Sequence, residues 1–307
     1  LQMDVKSAFL QADLPEEERV WLLPPKGDTL NADYIFFLMK SLYGLRQAAF
    51  RWNEDINKTL KEEDFEVLDA DTCIYTHRDA DGAVLCVLAL HVDDMLLIAP
   101  DGVREEVAAR LKDKYTMTES PARWFLKMKV DYAKDMSSVT LSQPAYADAI
   151  IEAAERMGLP ATEQPVSTPA SGLLGSDSQK LMSEEEKAFM ESVDYGELVG
   201  MLAHYAIMTR PDLAQAVGQL QRFCRDPRKR HWYAALRVVK YIKGTKDYGL
   251  CYTKDGLAKV VGYADSDWAS DEEDRKSTTG WVFIYMGAAI CWKSKKQPGR
   301  AARSTAE

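Results

Sequence analysis

The segment that most constrains this chain is Ala83–Ala99, AVLCVLALHVDDMLLIA. Two apolar runs, Val84–Val92 and Met95–Ala99, are interrupted by the adjacent carboxylates Asp93 and Asp94. Its 17 residues reach the short limit for a membrane span. Two carboxylates at the centre would each cost about 2.5–3.5 kcal/mol in a bilayer, so the membrane reading fails. Two Val/Leu/Ile-rich runs around two polar residues predict instead a β-hairpin with its carboxylates at the turn. The near absence of alternation predicts burial on both faces.

A bare Asp-Asp turn is ordinary, because turns favour Asp. Next to an apolar hairpin the pair is under tension, since neighbouring carboxylates repel and one is driven toward protonation. A divalent cation relieves that conflict, and magnesium takes one or two carboxylates, leaving its other positions to water and phosphate oxygens. A further acid from another strand would complete such a site. Asp4, the single acid of the apolar segment LQMDVKSAFL, is the candidate. Two cations held this way suit phosphoryl transfer, one activating a hydroxyl and the other stabilising the leaving pyrophosphate.

Around this hairpin the pattern is mixed. Apolar positions at Ala48, Ala49, Trp52, Ile56 and Leu60 predict an amphipathic helix within 45–65. Asp101 is expected to cap a helix reaching about Tyr115, and Pro144 to open another to about Met157. The Pro-, Gly- and Ser-rich stretch 158–183 reads as a linker and the main domain boundary. Helices are expected at 184–208, 211–224 and 228–244, then strands at 250–253 and 258–264 and a hairpin around Gly287.

Net charge is −9, which disfavours nucleic-acid binding unless positive charge is local. It is local in two places. Eight Lys or Arg against one acid lie between Arg225 and Lys246, and five against none between Lys293 and Arg303. A nucleic-acid surface and a solvated helix face explain the first patch equally well. The five cysteines, 73, 86, 224, 251 and 291, form no CxxC pair and read as small buried hydrophobes in a reducing compartment.

LQMDVKSAFL, SLYGLRQAAFRW, LHVDDMLLIA and LSQPAYADAI, in that order, resemble the reverse transcriptase of copia-type LTR retrotransposons. The likeness continues through YGELVGMLAHYAIMTRPDLAQAVGQLQRF and HWYAALRVVKYIKGTKDYGL to GYADSDWASDEEDRKSTTGWVFIYMGAAICWKSKKQP, which resembles the start of the family's RNase H domain. It implies an α+β right-hand polymerase. An antiparallel palm with partial fingers would occupy 1–137, thumb and linker 138–183, a helical connection 184–257, and an incomplete RNase H-like α/β domain 258–307. It implies RNA-directed DNA polymerase activity with Mg²⁺ or Mn²⁺. The partners would be an RNA or DNA template, a DNA primer, deoxynucleoside triphosphates and the rest of a Pol polyprotein cut at both ends of this chain. The location would be cytoplasmic, in a virus-like particle, or nuclear.

By the same resemblance Asp4, Asp93 and Asp94 are the catalytic metal carboxylates and Phe9 blocks a ribose 2′-hydroxyl. Arg46 and Gln47 contact nucleotide and template, and Trp124, Phe125 and Leu126 hold the primer end. Asp265 and Glu307 are two acids of an incomplete RNase H set, which leaves a nuclease reading weak. Asp267 and the run Asp271–Asp274 read as a solvated loop. The chain departs from the family pattern at His91, where an aromatic is usual, at Lys127, where Gly is common, and in lacking the segment ahead of Asp4. These departures define the alternative: a catalytically inactive retroelement remnant or nucleic-acid-binding scaffold.

Overall fold

The computed structural model describes residues 1–29, 31, 33–172, 174–175, 181–267, 271 and 275–299. They form two compact units, Leu1–Leu126 and Lys127–Glu307.

In the first unit β1 (Gln2–Val5) is followed by the two-residue strands β2 (Trp21–Leu22) and β3 (Phe36–Phe37), which pair with each other. Helix α1 spans Ala48–Glu62. Then come β4 (Phe65–Leu68), β5 (Asp71–Arg78), β6 (Val84–His91), β7 (Asp94–Ile98), α2 (Asp101–Lys114), β8 (Met117–Ser120) and β9 (Trp124–Phe125). The main sheet has the order β4-β5-β6-β7-β1-β8, antiparallel throughout. Strand β1 is thus inserted beside β7, with Met3 opposite Met95 and Asp4 opposite Asp94.

Helix α1 buries Ala48, Trp52, Ile56, Thr59 and Leu60, which share one helix face, while Ala49 stays exposed. With Val107, Ala108 and Leu111 of α2, the α1 side chains Trp52, Ile56 and Leu60 cover one sheet face, made of Met3, Val5, Cys86, Leu88, Leu90, Met95 and Leu97. The opposite face is only partly covered: Leu85, Val87, Ala89 and Leu96 are half-buried and Ile98 is 59% exposed. The expectation of burial on both faces is therefore corrected. An antiparallel sheet can leave one face wet, and both helices pack on the same side of this one. Asp101 is the first helical residue of α2, after Pro100, and makes no cap.

The second unit contains β10 (Met128–Tyr132), β11 (Ser138–Ser142), α3 (Pro144–Arg156), α4 (Glu184–Glu191), α5 (Tyr195–Met208), α6 (Ala214–Gln221), α7 (Lys229–Thr245), β12 (Gly249–Thr253), β13 (Val261–Ser266), β14 (Thr278–Tyr285) and β15 (Ala288–Lys296). Strand β11 pairs antiparallel with both β10 and β12, and β13, β14 and β15 form an antiparallel hairpin sheet. The helices between β11 and β12 share one core that includes Ile150, Leu198, Leu202, Tyr205, Val217, Trp232 and Val239. The expected helix 184–208 is broken at 192–194, where the Asp194 carboxylate caps α5 by accepting from the Glu197 N–H at 2.7 Å.

The Pro/Gly-rich stretch lies inside this unit, as a strap along α7. Lys243 donates to the Ala161 carbonyl at 2.5 Å, Lys240 pairs with Glu163 at 2.6 Å, Arg237 donates to Thr168 Oγ1 at 2.9 Å, and Arg230 reaches the Gly175 carbonyl. As the strap runs forward, its partners step backward along α7, so the two are antiparallel. Gly244 leaves room for it, because a Cβ there would lie 2.9 Å from the Pro165 Cβ. Much of the basic patch on α7 thus holds this chain's own backbone and acids, while Arg225, Lys229 and Lys246 stay exposed. Of the cysteines only Cys86 is buried, and 73, 224, 251 and 291 are exposed, against expectation. Among the described residues no helix is long and apolar enough to cross a membrane.

Candidate active site

Strand alternation decides where the carboxylates point. Met3 and Val5 face the helices, so Gln2 and Asp4 face the half-open side; Met95 and Leu97 face the helices, so Asp94 and Leu96 face the half-open side. The register then sets His91, Asp94, Asp4 and Thr118 in one row across β6, β7, β1 and β8. Two carboxylates directly opposite on antiparallel strands repel. Burial pushes the Asp94 carboxyl above the ordinary aspartate range, the Asp4 and Asp93 charges push it further, and a hydrogen bond from Gln2 Nε2 to Asp94 Oδ1 at 2.8 Å counteracts them.

The turn itself is shifted by one residue from its expected place. Asp94 is already in β7, paired with His91, and the two turn residues are Val92 and Asp93. Val92 is left-handed, with φ +57°. A β-branched residue there is strained, at a cost on the order of 1–3 kcal/mol. Two contacts hold it. The buried Trp52 donates its indole N–H to the Val92 carbonyl at 2.6 Å, and the Val5 N–H donates to the Asp93 carbonyl at 2.8 Å. The second bond ties Asp93 to β1 one residue past Asp4.

Asp4, Asp93 and Asp94 are therefore brought together. Among the described residues no three His, Cys, Asp or Glu side chains form a ready metal cage. Magnesium requires less, since one or two carboxylates suffice when water and phosphate oxygens complete its shell. An opposed Asp4/Asp94 pair, its repulsion only partly offset by Gln2, fits that donor set.

The other candidates are distributed as follows. Ser7 is left-handed and turns β1 into the short 3-10 helix Ala8–Leu10, which carries Phe9. The Phe9 ring packs on Tyr43, with centroids 4.8 Å apart, so Phe9 and the SLYGLRQ segment meet. Arg46 is exposed; Gln47, just before α1, is half-buried, with its amide 3.5 Å from the Glu18 carbonyl. Trp124 and Leu126 are exposed and Phe125 is half-buried. Leu126 and Lys127 are both left-handed, a conformation Gly would adopt without strain.

Asp265 lies on β13 opposite Gly280, lining a cavity of about 740 Å³ with Asp212, Tyr263, Trp281 and Trp292. Glu307 lies outside the described residues. Asp271 is not part of a solvated loop: it is largely buried and pairs with Lys296 at 2.6 Å and Arg222 at 3.7 Å. Sequence reasoning missed Gln2, Trp52, Tyr43 and Thr118. Gln2 was accessible from alternation with Asp4; the others depend on contacts between distant segments.

Residues 1–169 match the family described as reverse transcriptase (RNA-dependent DNA polymerase). The chain is 35% identical over 96% of its length to the retrovirus-related Pol polyprotein from transposon TNT 1-94 of Nicotiana tabacum, covering 22% of that protein. It is 31% identical over 99% of its length to the corresponding polyprotein from transposon RE2 of Arabidopsis thaliana, covering 20% of it. It is 29% identical over 97% of its length to the putative transposon Ty5-1 protein of Saccharomyces cerevisiae, covering 93% of that protein. The chain thus spans about a fifth of the length of the two plant Pol polyproteins. With more than half of its residues inside the matched region, this chain belongs to the reverse transcriptase (RNA-dependent DNA polymerase) family.

Proposed function

We propose that the chain carries out templated extension of a DNA primer on RNA or DNA, with Asp4, Asp93 and Asp94 holding Mg²⁺ or Mn²⁺. The observation that carries this reading is the direct cross-strand opposition of Asp4 and Asp94 on the half-open sheet face, with Asp93 in the adjoining turn. A divalent cation bound there would lower the charge on the attacking 3′-oxygen and the leaving pyrophosphate. The chain's own groups do the rest. Gln2 orients one Asp94 oxygen and leaves the other free. Phe9, backed by Tyr43, lies under the incoming sugar and crowds a 2′-hydroxyl. Arg46 and Gln47 contact nucleotide and template, and Trp124, Phe125 and Leu126 the primer end. Template contacts run mainly to phosphates, so affinity falls with salt.

In this reading the antiparallel sheet of the first unit is the palm, with partial fingers, over 1–137. The thumb and linker occupy 138–183 and a helical connection 184–257. The β13–β15 hairpin sheet begins an RNase H-like domain, 258–307, whose first acid is Asp265 and whose second is Glu307. Cytoplasmic particles or the nucleus are the proposed location.

The test is primer extension on an RNA template with deoxynucleotides and Mg²⁺. Incorporation is expected, and Asp93→Asn and Asp94→Asn should each abolish it. Incorporation indifferent to both substitutions overturns the carboxylate assignment. No incorporation by the unsubstituted protein, within its Pol polyprotein as well as alone, favours the inactive remnant or scaffold.

A further inference from the structure

Asp93 sits in, and Asp94 directly follows, a turn that the sequence alone would not hold in place. Val92 occupies the left-handed region, which β-branched side chains avoid, and it does so at the first turn position of the tight hairpin, where Gly is the usual solution. Such a conformation persists only where its surroundings over-determine it. The surroundings here are one side chain and one strand. Trp52 is 2% exposed, and its indole N–H meets the Val92 carbonyl at 2.6 Å. The indole is itself fixed, edge-on against Tyr115 with centroids 5.3 Å apart. The Tyr115 hydroxyl donates to Asp55 at 2.8 Å and meets Thr59 Oγ1 at 2.7 Å, both on the helix that carries Trp52. On the far side of the turn, the Val5 N–H holds the Asp93 carbonyl.

We infer that Trp52 is a positioning residue for the polymerase reaction. Its N–H clamps Val92 in the left-handed conformation and so holds Asp93 and Asp94 beside Asp4. This inference rests on the carboxylate reading above, and the two fail separately. Trp52 touches neither substrate nor metal; it acts through the turn.

The test uses Trp52→Phe, which keeps a ring and removes the donor, alone and combined with Val92→Gly, which adopts the left-handed conformation unaided. Trp52→Phe is expected to lower kcat roughly 10- to 100-fold, the range for loss of a supporting hydrogen bond behind a metal ligand. The double variant should recover most of it. A readout independent of activity is amide exchange in metal-free protein: the Val5 N–H should exchange faster in Trp52→Phe and slow again in the double variant. A merely structural tryptophan gives no such rescue, since Gly at 92 restores no packing. Three results overturn the inference: a Trp52→Phe protein with unchanged kcat and unchanged Val5 exchange; a defect that Val92→Gly leaves in place; or, in the unsubstituted chain, a Trp52 indole N–H exchanging as freely as an exposed one. The last holds even if Trp52→Phe does not fold. Incorporation that survives both Asp93→Asn and Asp94→Asn defeats the carboxylate reading, whereas incorporation lost in those variants, with kcat and Val5 exchange untouched in Trp52→Phe, defeats only this inference.

Discussion

Asp94 is a residue whose chemistry and stability pull in opposite directions. Its carboxyl is raised above the ordinary 3.8 by burial and by the charges of Asp4 and Asp93. Between 3.8 and its own higher value, the folded chain keeps a proton that the unfolded chain has lost. Stability from this group is therefore present at low pH and declines as pH rises through that window. Asp94→Asn should erase that slope and, in metal-free buffer at pH 7, stabilise the fold by up to about 1 kcal/mol while removing polymerase activity. Urea melts across pH in the presence of a chelator measure this, and a variant less stable than the parent at pH 7 contradicts it. Arg210 shows the reverse situation. It is fully buried, grips Asp212 with two bonds of 2.7–2.9 Å, donates to Tyr205 and to Thr245, and lies against the rings of Tyr205, Tyr241 and Tyr248. Arg210→Ala leaves these acceptors without their donor and should cost about 3–5 kcal/mol by equilibrium unfolding. Asp4, Asp93 and Asp94 were legible in sequence because acids in apolar runs stand out. That Val92 rather than Asp94 occupies the turn was not, because no local preference favours Val there; the indole 40 positions earlier decides it.

At the scale of elements, helical periodicity marks α1, two continuous apolar runs mark β6 and β7, and Pro144 marks the start of α3, each within a few residues. It could not reveal the exposed side of the sheet. Apolar residues occupy both faces of β6 and β7, and only the placement of α1 and α2 on one side distinguishes them. Nor could composition say where 160–175 goes. Pro and Gly mark a loop, but the strap's course is set by distant partners, Lys240 with Glu163 and, 82 residues apart, Lys243 with Ala161. Gly244→Ala tests that course. Alanine adds about 1 kcal/mol of helix propensity to α7, yet its Cβ strikes Pro165. Limited proteolysis should cut 160–175 faster in this variant while α7 amides exchange no faster. An unchanged cleavage rate would mean the strap tolerates the methyl group.

For the molecule as a whole, the two units have separate cores, one built on the β1/β7 sheet and one on α3–α7. Calorimetry should resolve two unfolding transitions, and Arg210→Ala should lower only one of them. A single transition whose calorimetric and van't Hoff enthalpies agree for the full chain would rule this out. The α7 patch also bears on how a polyanion meets this protein. Lys240 is neutralised by Glu163, Lys246 by Asp148 and Arg228 by Asp226. Tallying basic residues along the helix therefore overstates the electric field it projects into solvent. With Lys243 beside Glu155 as well, four of the eight basic side chains are compensated locally, so the charge this stretch offers a polyanion is smaller than its count of Lys and Arg.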